Sequence, residues 1–99
     1  MQLLTSELRA KLPKLRATEK QGDDARVIVK FFTPRSSWTW YATEFDGKDT
    51  FFGLVDGFEV EMGYFSLREL ESLGPAIERD LYFGSHTLAD VKARLTRDY

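Results

Sequence analysis

The chain contains no cysteine. That excludes disulfide staples, a thiol nucleophile and a thiolate-bound metal. Histidine is almost as scarce: His86 is the single imidazole, placed between Gly84-Ser85 and a helix-cap signature, and one histidine without a second ligand does not make a zinc site of the usual kind. There are three prolines, Pro13, Pro34 and Pro75, and each falls at a break in the hydrophobic pattern. No apolar run approaches the ~20 residues of a membrane span. The stretch from Met1 to Ser6 lacks the charged and apolar regions of a secretory leader, so the expectation is a cytoplasmic protein with no membrane partner. Neither a G-x-x-x-x-G-K-[ST] nor a G-x-G-x-x-G phosphate loop occurs, nor a G-x-S-x-G nucleophile turn, and no cofactor is expected.

What the chain does have is aromatic residues, concentrated in one block. Eleven of its 14 aromatics lie between Phe31 and Phe65. The 99 residues allow one domain, 1–99, which buries roughly 60–65% of the surface its unfolded chain exposes. Val27–Phe32 reads as a strand, broken by Thr33-Pro34. Trp38–Phe45, Phe51–Val55 and Phe58–Phe65 follow as three more, separated by turn signals at Asp46-Gly47 and Asp56-Gly57. A two-residue loop at Asp56-Gly57 sets Val55 against Phe58, Gly53 against Val60 and Phe51 against Met62. Trp38, Trp40 and Ala42 then share that face, while Tyr41, Thr43, Phe45, Phe52, Leu54, Glu59 and Glu61 take the other. Gly53 is expected to leave room for an indole, that of Trp40, over the backbone.

Helices flank this block. Thr5 or Ser6 caps a first one, with Glu7 in its first turn and Leu8, Leu12 and Leu15 along one face, and Pro13 ends its regular part. Ser66-Leu67-Arg68-Glu69 is a capping box, and Gly74-Pro75 stops the helix after about two turns. Thr87-Leu88-Ala89-Asp90 starts another, with an apolar stripe at Leu88, Val91 and Leu95. Ile77–Phe83 reads as either a short strand or an ordered loop. The fold class is therefore α+β: an antiparallel meander of about four strands, an N-terminal helix and two C-terminal helices, with the C-terminal helices expected on the Trp38/Trp40 face.

Charge is uneven around a net of −2. Residues 1–35 carry eight Lys/Arg and four Asp/Glu, whereas residues 36–80 carry three and ten. Arg9, Lys11, Lys14 and Arg16 are the candidate nucleic-acid contacts. Tyr41, Phe45, Phe52 and Leu54, edged by Glu59 and Glu61, are the candidate partner contact: either a helix covers this face, or its aromatics make a protein-contact patch. The glutamates repel phosphate, which disfavours base stacking on that face. Glu59 and Glu61, about 7 Å apart along one strand, also have the spacing for paired-carboxylate or hard-metal chemistry, although a solvated acidic face is the plainer reading. Arg79, between Glu78 and Asp80, is part of a surface ion-pair network or a binding residue held by its neighbours.

Several segments, taken together, resemble a known family: Leu12-Pro13-Lys14-Leu15, Val29-Lys30-Phe31-Phe32, Trp38-Thr39-Trp40-Tyr41-Ala42-Thr43-Glu44-Phe45, Phe51-Phe52-Gly53-Leu54-Val55-Asp56-Gly57, and Gly63-Tyr64-Phe65-Ser66 with Ile77-Glu78-Arg79-Asp80. The chain resembles the bacterial family called domain of unknown function 2958. The resemblance implies a setting on plasmids and integrating conjugative elements, and it carries neither an activity nor catalytic residues. The expectation is a non-enzymatic protein-interaction module with an unidentified protein partner. The alternative is a nucleic-acid-linked accessory protein, binding DNA through the basic N-terminal face or acting as an acidic decoy for a DNA-handling protein. No oligomeric state is assigned.

Overall fold

The computed structural model describes residues 2–96, and Met1 and residues 97–99 lie outside it. The first helix, α1 (Ser6–Lys11), starts where the Thr5 hydroxyl accepts from the Leu8 N–H at 3.2 Å. It ends at Leu12, one residue before Pro13, so Leu15 falls in the following turn and not on the helix. A short 3-10 segment, Glu19–Asp24, leads to the strands.

The strand expected over 27–32 divides at Ile28. Its first part, β1 (Arg26–Val27), forms a two-stranded ribbon with β7 (His86–Thr87). Its second part, β2 (Val29–Phe32), joins β3 (Thr39–Phe45), β4 (Thr50–Asp56) and β5 (Val60–Ser66) in an antiparallel meander. β6 (Glu78–Arg79) adds to the far side of β2, so the sheet order is β5-β4-β3-β2-β6. The α+β architecture read from the sequence is present, with one further strand in the sheet and a separate ribbon.

Helix starts follow the capping chemistry. In α2 (Leu67–Glu71) the Ser66 hydroxyl accepts from the Glu69 N–H. The Asp49 carboxylate accepts from Ser66 Oγ at 2.6 Å and from the Arg68 N–H at 2.8 Å, and both hold its pKa below the usual carboxylate range. In α3 (Leu88–Thr96) Thr87 and Asp90 exchange bonds: Thr87 N–H to Asp90 Oδ2, and Asp90 N–H to Thr87 Oγ1.

Each face of the sheet packs its own core. One, the tryptophan face, buries Val29, Phe31, Ala42, Phe45 and Phe51 against Leu3, Leu4, Leu12, Leu67, Leu70 and Ile77, with Trp40 and Phe65 at its margin. The other, the tyrosine face, buries Tyr41 and Leu54 against Leu88 and Val91 of α3, with Ala25 and Val27. The expectation that both C-terminal helices cover the tryptophan face is corrected: α2 does, and α3 crosses to the opposite side. The outcome of a sheet covered on both faces, left open by the sequence, holds for most of it.

The register departs from expectation at two places. The β4–β5 connection is a three-residue loop, Gly57-Phe58-Glu59, with Asp56 opposite Val60. A type I′ turn at Asp56-Gly57 needs φ > 0 at Gly57, which it does not have. The residue is a glycine because the Trp38 ring lies over it: a Cβ there would stand 2.3 Å from the ring. Pairing therefore runs Val55 to Glu61, Leu54 to Met62, Gly53 to Gly63, Phe52 to Tyr64 and Phe51 to Phe65. Every β5 side chain changes face relative to the two-residue reading. At the other place, between β3 and β4, the register shifts between Ala42 and Glu44. This β-bulge turns Phe45 into the tryptophan-face core and Glu44 onto the tyrosine face. Gly53 serves this close approach, not an indole: its Cβ would lie 1.9 Å from the Tyr41 carbonyl oxygen.

Candidate functional site

The bulge builds one wall of a groove. Glu44 is 3% exposed, and its carboxylate accepts from the Arg16 N–H at 2.8 Å, from the Thr18 N–H at 2.9 Å and from the Thr18 hydroxyl. Convergent backbone N–H groups suit an anion, and here the anion is the protein's own side chain. The three bonds fix a loop in which Arg16 holds φ 73°, a left-handed conformation uncommon outside glycine. Phe45 N–H adds a bond to the Pro13 carbonyl. The loop so pinned stands over the tyrosine face and leaves a groove of about 440 Å³ lined by Thr18, Gly22, Thr43, Phe52, Met62 and Tyr64 among others. Its floor is the Phe52–Tyr64 ring pair, centroids 4.9 Å apart. Tyr64 is 64% exposed.

The groove opens beside β5, which ends the sheet. Leu67 N–H donates to the Asp49 carbonyl, and Gly57 N–H to the Glu59 carbonyl. The odd-numbered residues of β5 thus aim their backbone groups at β4, and Val60, Met62 and Tyr64 aim theirs outward along a seven-residue edge that no other strand among the described residues covers. The opposite edge, β6, is two residues long. Arg79 on it donates from Nη1 to the carbonyls of Gln2 (2.6 Å) and Leu3 (3.0 Å), so it straps down the chain's start. Asp80 pairs with Lys30 at 3.4 Å. At the β4–β5 turn, Phe58 is 94% exposed and its ring meets Trp38 edge-on at 5.2 Å, while Trp38 stacks on Trp40.

The residues proposed from sequence as one contact strip do not form one surface. Tyr41 and Leu54 are buried beneath α3, and Phe83 lies 5.9 Å from the Tyr41 ring. Burial, with the charge of Asp56 behind it, raises the Tyr41 pKa. Phe45 lies in the other core, under the Arg9 guanidinium at 5.2 Å. Phe52 alone of the four reaches the groove. Glu59 sits in the turn and Glu61 is paired with Val55, so neither stands on the Phe52/Leu54 face, and they approach Leu54 only from the β5 edge. They line, with Val60, Met62, Lys92 and Leu95, a trough of about 590 Å³ along β5. Among the described residues no group of three or more His, Asp or Glu side chains could hold a metal ion.

The four basic candidates are all exposed on α1 and the following loop. Two have partners within the chain: Arg9 donates to the Gly47 carbonyl, and Arg16 Nε is 3.3 Å from Glu19. His86 belongs to the ribbon and not to a loop, its ring 4.7 Å from that of Phe83. Sequence reasoning missed Tyr64, Met62 and the β5 edge because the register slip placed Met62 in the wrong core. The signal that finds them is Trp38 two residues before Trp40, on a strand end that needs a glycine opposite it.

The fold and groove define a small α+β protein with an antiparallel sheet, no helix among the described residues being long and apolar enough to cross a membrane. The model of the family described as protein of unknown function (DUF2958) matches residues 3–98, and the chain belongs to that family. No curated protein and no solved structure matches it.

Proposed function

We propose that the protein is a non-enzymatic interaction module, acting in the cytoplasm, that takes an extended polypeptide segment along the free edge of β5. The observation that carries this is the edge itself: seven residues with outward backbone groups at Val60, Met62 and Tyr64 and no proline or lysine. Natural sheets blunt such edges, because they template pairing with another strand. A strand added there lays alternate side chains over the Phe52–Tyr64 pair and into the groove, the division of labour of β-augmentation. The mobile-element setting is supported by the family resemblance. The nucleic-acid reading has less behind it, since Arg9 and Arg16 already have partners within the chain.

Site-specific photo-crosslinking in cells tests this. A photoreactive residue in place of Tyr64 or Phe58 is expected to give a discrete protein adduct, and the same residue in place of Glu71, exposed on α2, is not. Absence of adducts at 64 and 58, or equal labelling from all three positions, would sink the reading.

A further inference from the structure

We propose that the strand accepted by β5 is the β5 of a second copy, giving an antiparallel two-fold dimer with Gly63 on the axis. This names the partner of the edge described above and rests on that reading.

Symmetry restricts the register. Two identical strands pairing edge to edge antiparallel are related by a two-fold axis perpendicular to the sheet, which keeps each side chain on its own face. Some residue must therefore stand opposite itself. Gly63 is the midpoint of Val60–Ser66, so placing it on the axis pairs the whole strand: Met62 with the partner's Tyr64, Val60 with the partner's Ser66. The outward backbone groups of Met62 then meet those of the partner's Tyr64, as the ladder requires. Gly63 falls at the position without exchanged bonds, where the two chains come closest, at about 4.5 Å between Cα atoms.

Nothing among the described residues of the protomer asks for a glycine at 63. Its φ is not positive, and a Cβ built there meets no atom within 4 Å. A mid-strand glycine of that kind marks close approach by another backbone. Side chains agree with the register. On the tyrosine face the row Leu54, Met62 continues into the partner's Tyr64 and Phe52, an apolar ladder that covers the exposed Tyr64 ring with a thioether. On the other face Glu61 meets the partner's Phe65, so no carboxylates oppose one another. An axis at Glu61 would set Glu61 against itself, and one at Val60 would set Glu59 against Glu61. The Gly63 register also brings the Phe58-Glu59 turn beside the partner's Arg68, exposed at the start of α2 and opposite in charge to Glu59.

The chain has no cysteine, so a single introduced thiol reports the register without background. Under mild oxidation at high protein concentration, full-length Gly63→Cys is expected to form a covalent dimer. Glu61→Cys is not, because in this register its two copies lie roughly 13 Å apart along the strands, beyond disulfide reach. Equal cross-linking of both variants, cross-linking of Glu61→Cys alone, or none by either would overturn the proposal. The unmodified chain should dimerise reversibly in sedimentation velocity, since an edge contact is a small interface. Tyr64→Lys, at an exposed position, should weaken that association by about tenfold or more while the protomer stays folded. A chain monomeric at every concentration refutes self-pairing. If position 64 nevertheless photo-crosslinks to a different protein, the edge-binding reading stands and only the choice of partner fails; if it gives no adduct, both fall.

Discussion

Replacing Glu44 with glutamine tests the bond set that shapes the groove. Three donors converge on this buried carboxylate: the N–H groups of Arg16 and Thr18 and the hydroxyl of Thr18. All three are neutral groups. A glutamine of the same shape offers one acceptor oxygen and one NH₂. If its oxygen faces Thr18, its NH₂ confronts the Arg16 N–H; if it is flipped, both Thr18 donors lose their acceptor. Either way a donor goes unsatisfied, the part-buried Arg16 N–H or the buried Thr18 N–H, at about 1–3 kcal/mol, and the remaining bonds lose their charge assistance. The expected loss is about 2–4 kcal/mol, or about 10–25 °C in Tm for a domain of this size. Urea unfolding monitored by circular dichroism reads it, with Thr18→Val as the smaller perturbation at about 1 kcal/mol. A double-mutant cycle between the two should show coupling, since they share bonds. The loss should persist at high salt, because a short buried contact is poorly screened. A change under about 0.5 kcal/mol, or one abolished by salt, would refute the view that Glu44 pins the loop.

Two further predictions concern glycines and acid. Gly53→Ala should cost about 3 kcal/mol or more, because the new methyl meets backbone atoms of Tyr41 and Ala42 at 1.9–3.0 Å. Gly57→Ala should cost only about 1 kcal/mol, because it meets the Trp38 ring, which can swing outward and change the tryptophan emission; equal losses in urea unfolding would contradict this ranking. Asp46, Asp49 and Asp90 all have lowered pKa values, held down chiefly by backbone N–H donors in Asp46 (from Asp49, Lys48 and Thr50) and Asp90 (from Thr87), and by the Ser66 hydroxyl in Asp49. Their stabilisation is complete above the unfolded aspartate pKa of about 3.9 and is lost as pH falls through the lower folded values. The Tm difference between wild type and Asp49→Asn should therefore stay constant from neutral pH to about pH 5 and shrink below pH 4; a difference that grows on acidification would reverse the sign of the argument.

Local chemistry was legible where one residue decides the outcome. Thr5, Ser66 and Thr87 start helices because their hydroxyls sit where an N–H lacks a partner, and Pro13 and Gly74 stop them for equally local reasons. Parity in the sheet was not local. Asp56-Gly57 carries the strongest short hairpin signal, yet Gly57 answers to Trp38, nineteen residues away, and the loop gains a residue. The β3–β4 strands contain two such departures that cancel. The loop after Phe45 is odd in length, with Asp46 N–H bonded to the Thr50 carbonyl, and the bulge beyond Thr43 restores the phase. Trp40, Ala42 and Tyr41 therefore face as expected, and only Glu44 and Phe45, between the two, are reversed. β5 has no second irregularity to restore it, so Glu59 and Glu61 left the face read for them while Tyr41, Phe52 and Leu54 kept theirs.

The displaced glutamates acquire a different role. On a groove rim Glu59 and Glu61 would help select a partner; on a free edge they act first on the strand's own alternatives. An edge without proline or lysine is exposed to pairing in every register. Of the self-pairings β5 could form, those centred at Val60 and Glu61 bring carboxylates together, while the one centred at Gly63 separates them and uses the full strand. The acidic excess of residues 36–80, ten acids against three bases, adds a general repulsion that suppresses open-ended stacking. The sheet's other end removes the remaining route to a fibre. β6 offers two residues, and the Arg79 strap holds the chain start beside them, so a dimer through β5 exposes no second long edge to continue the sheet. A strand edge that is long at one end and blunted at the other terminates growth at two copies, which is the arrangement a closed two-fold assembly needs.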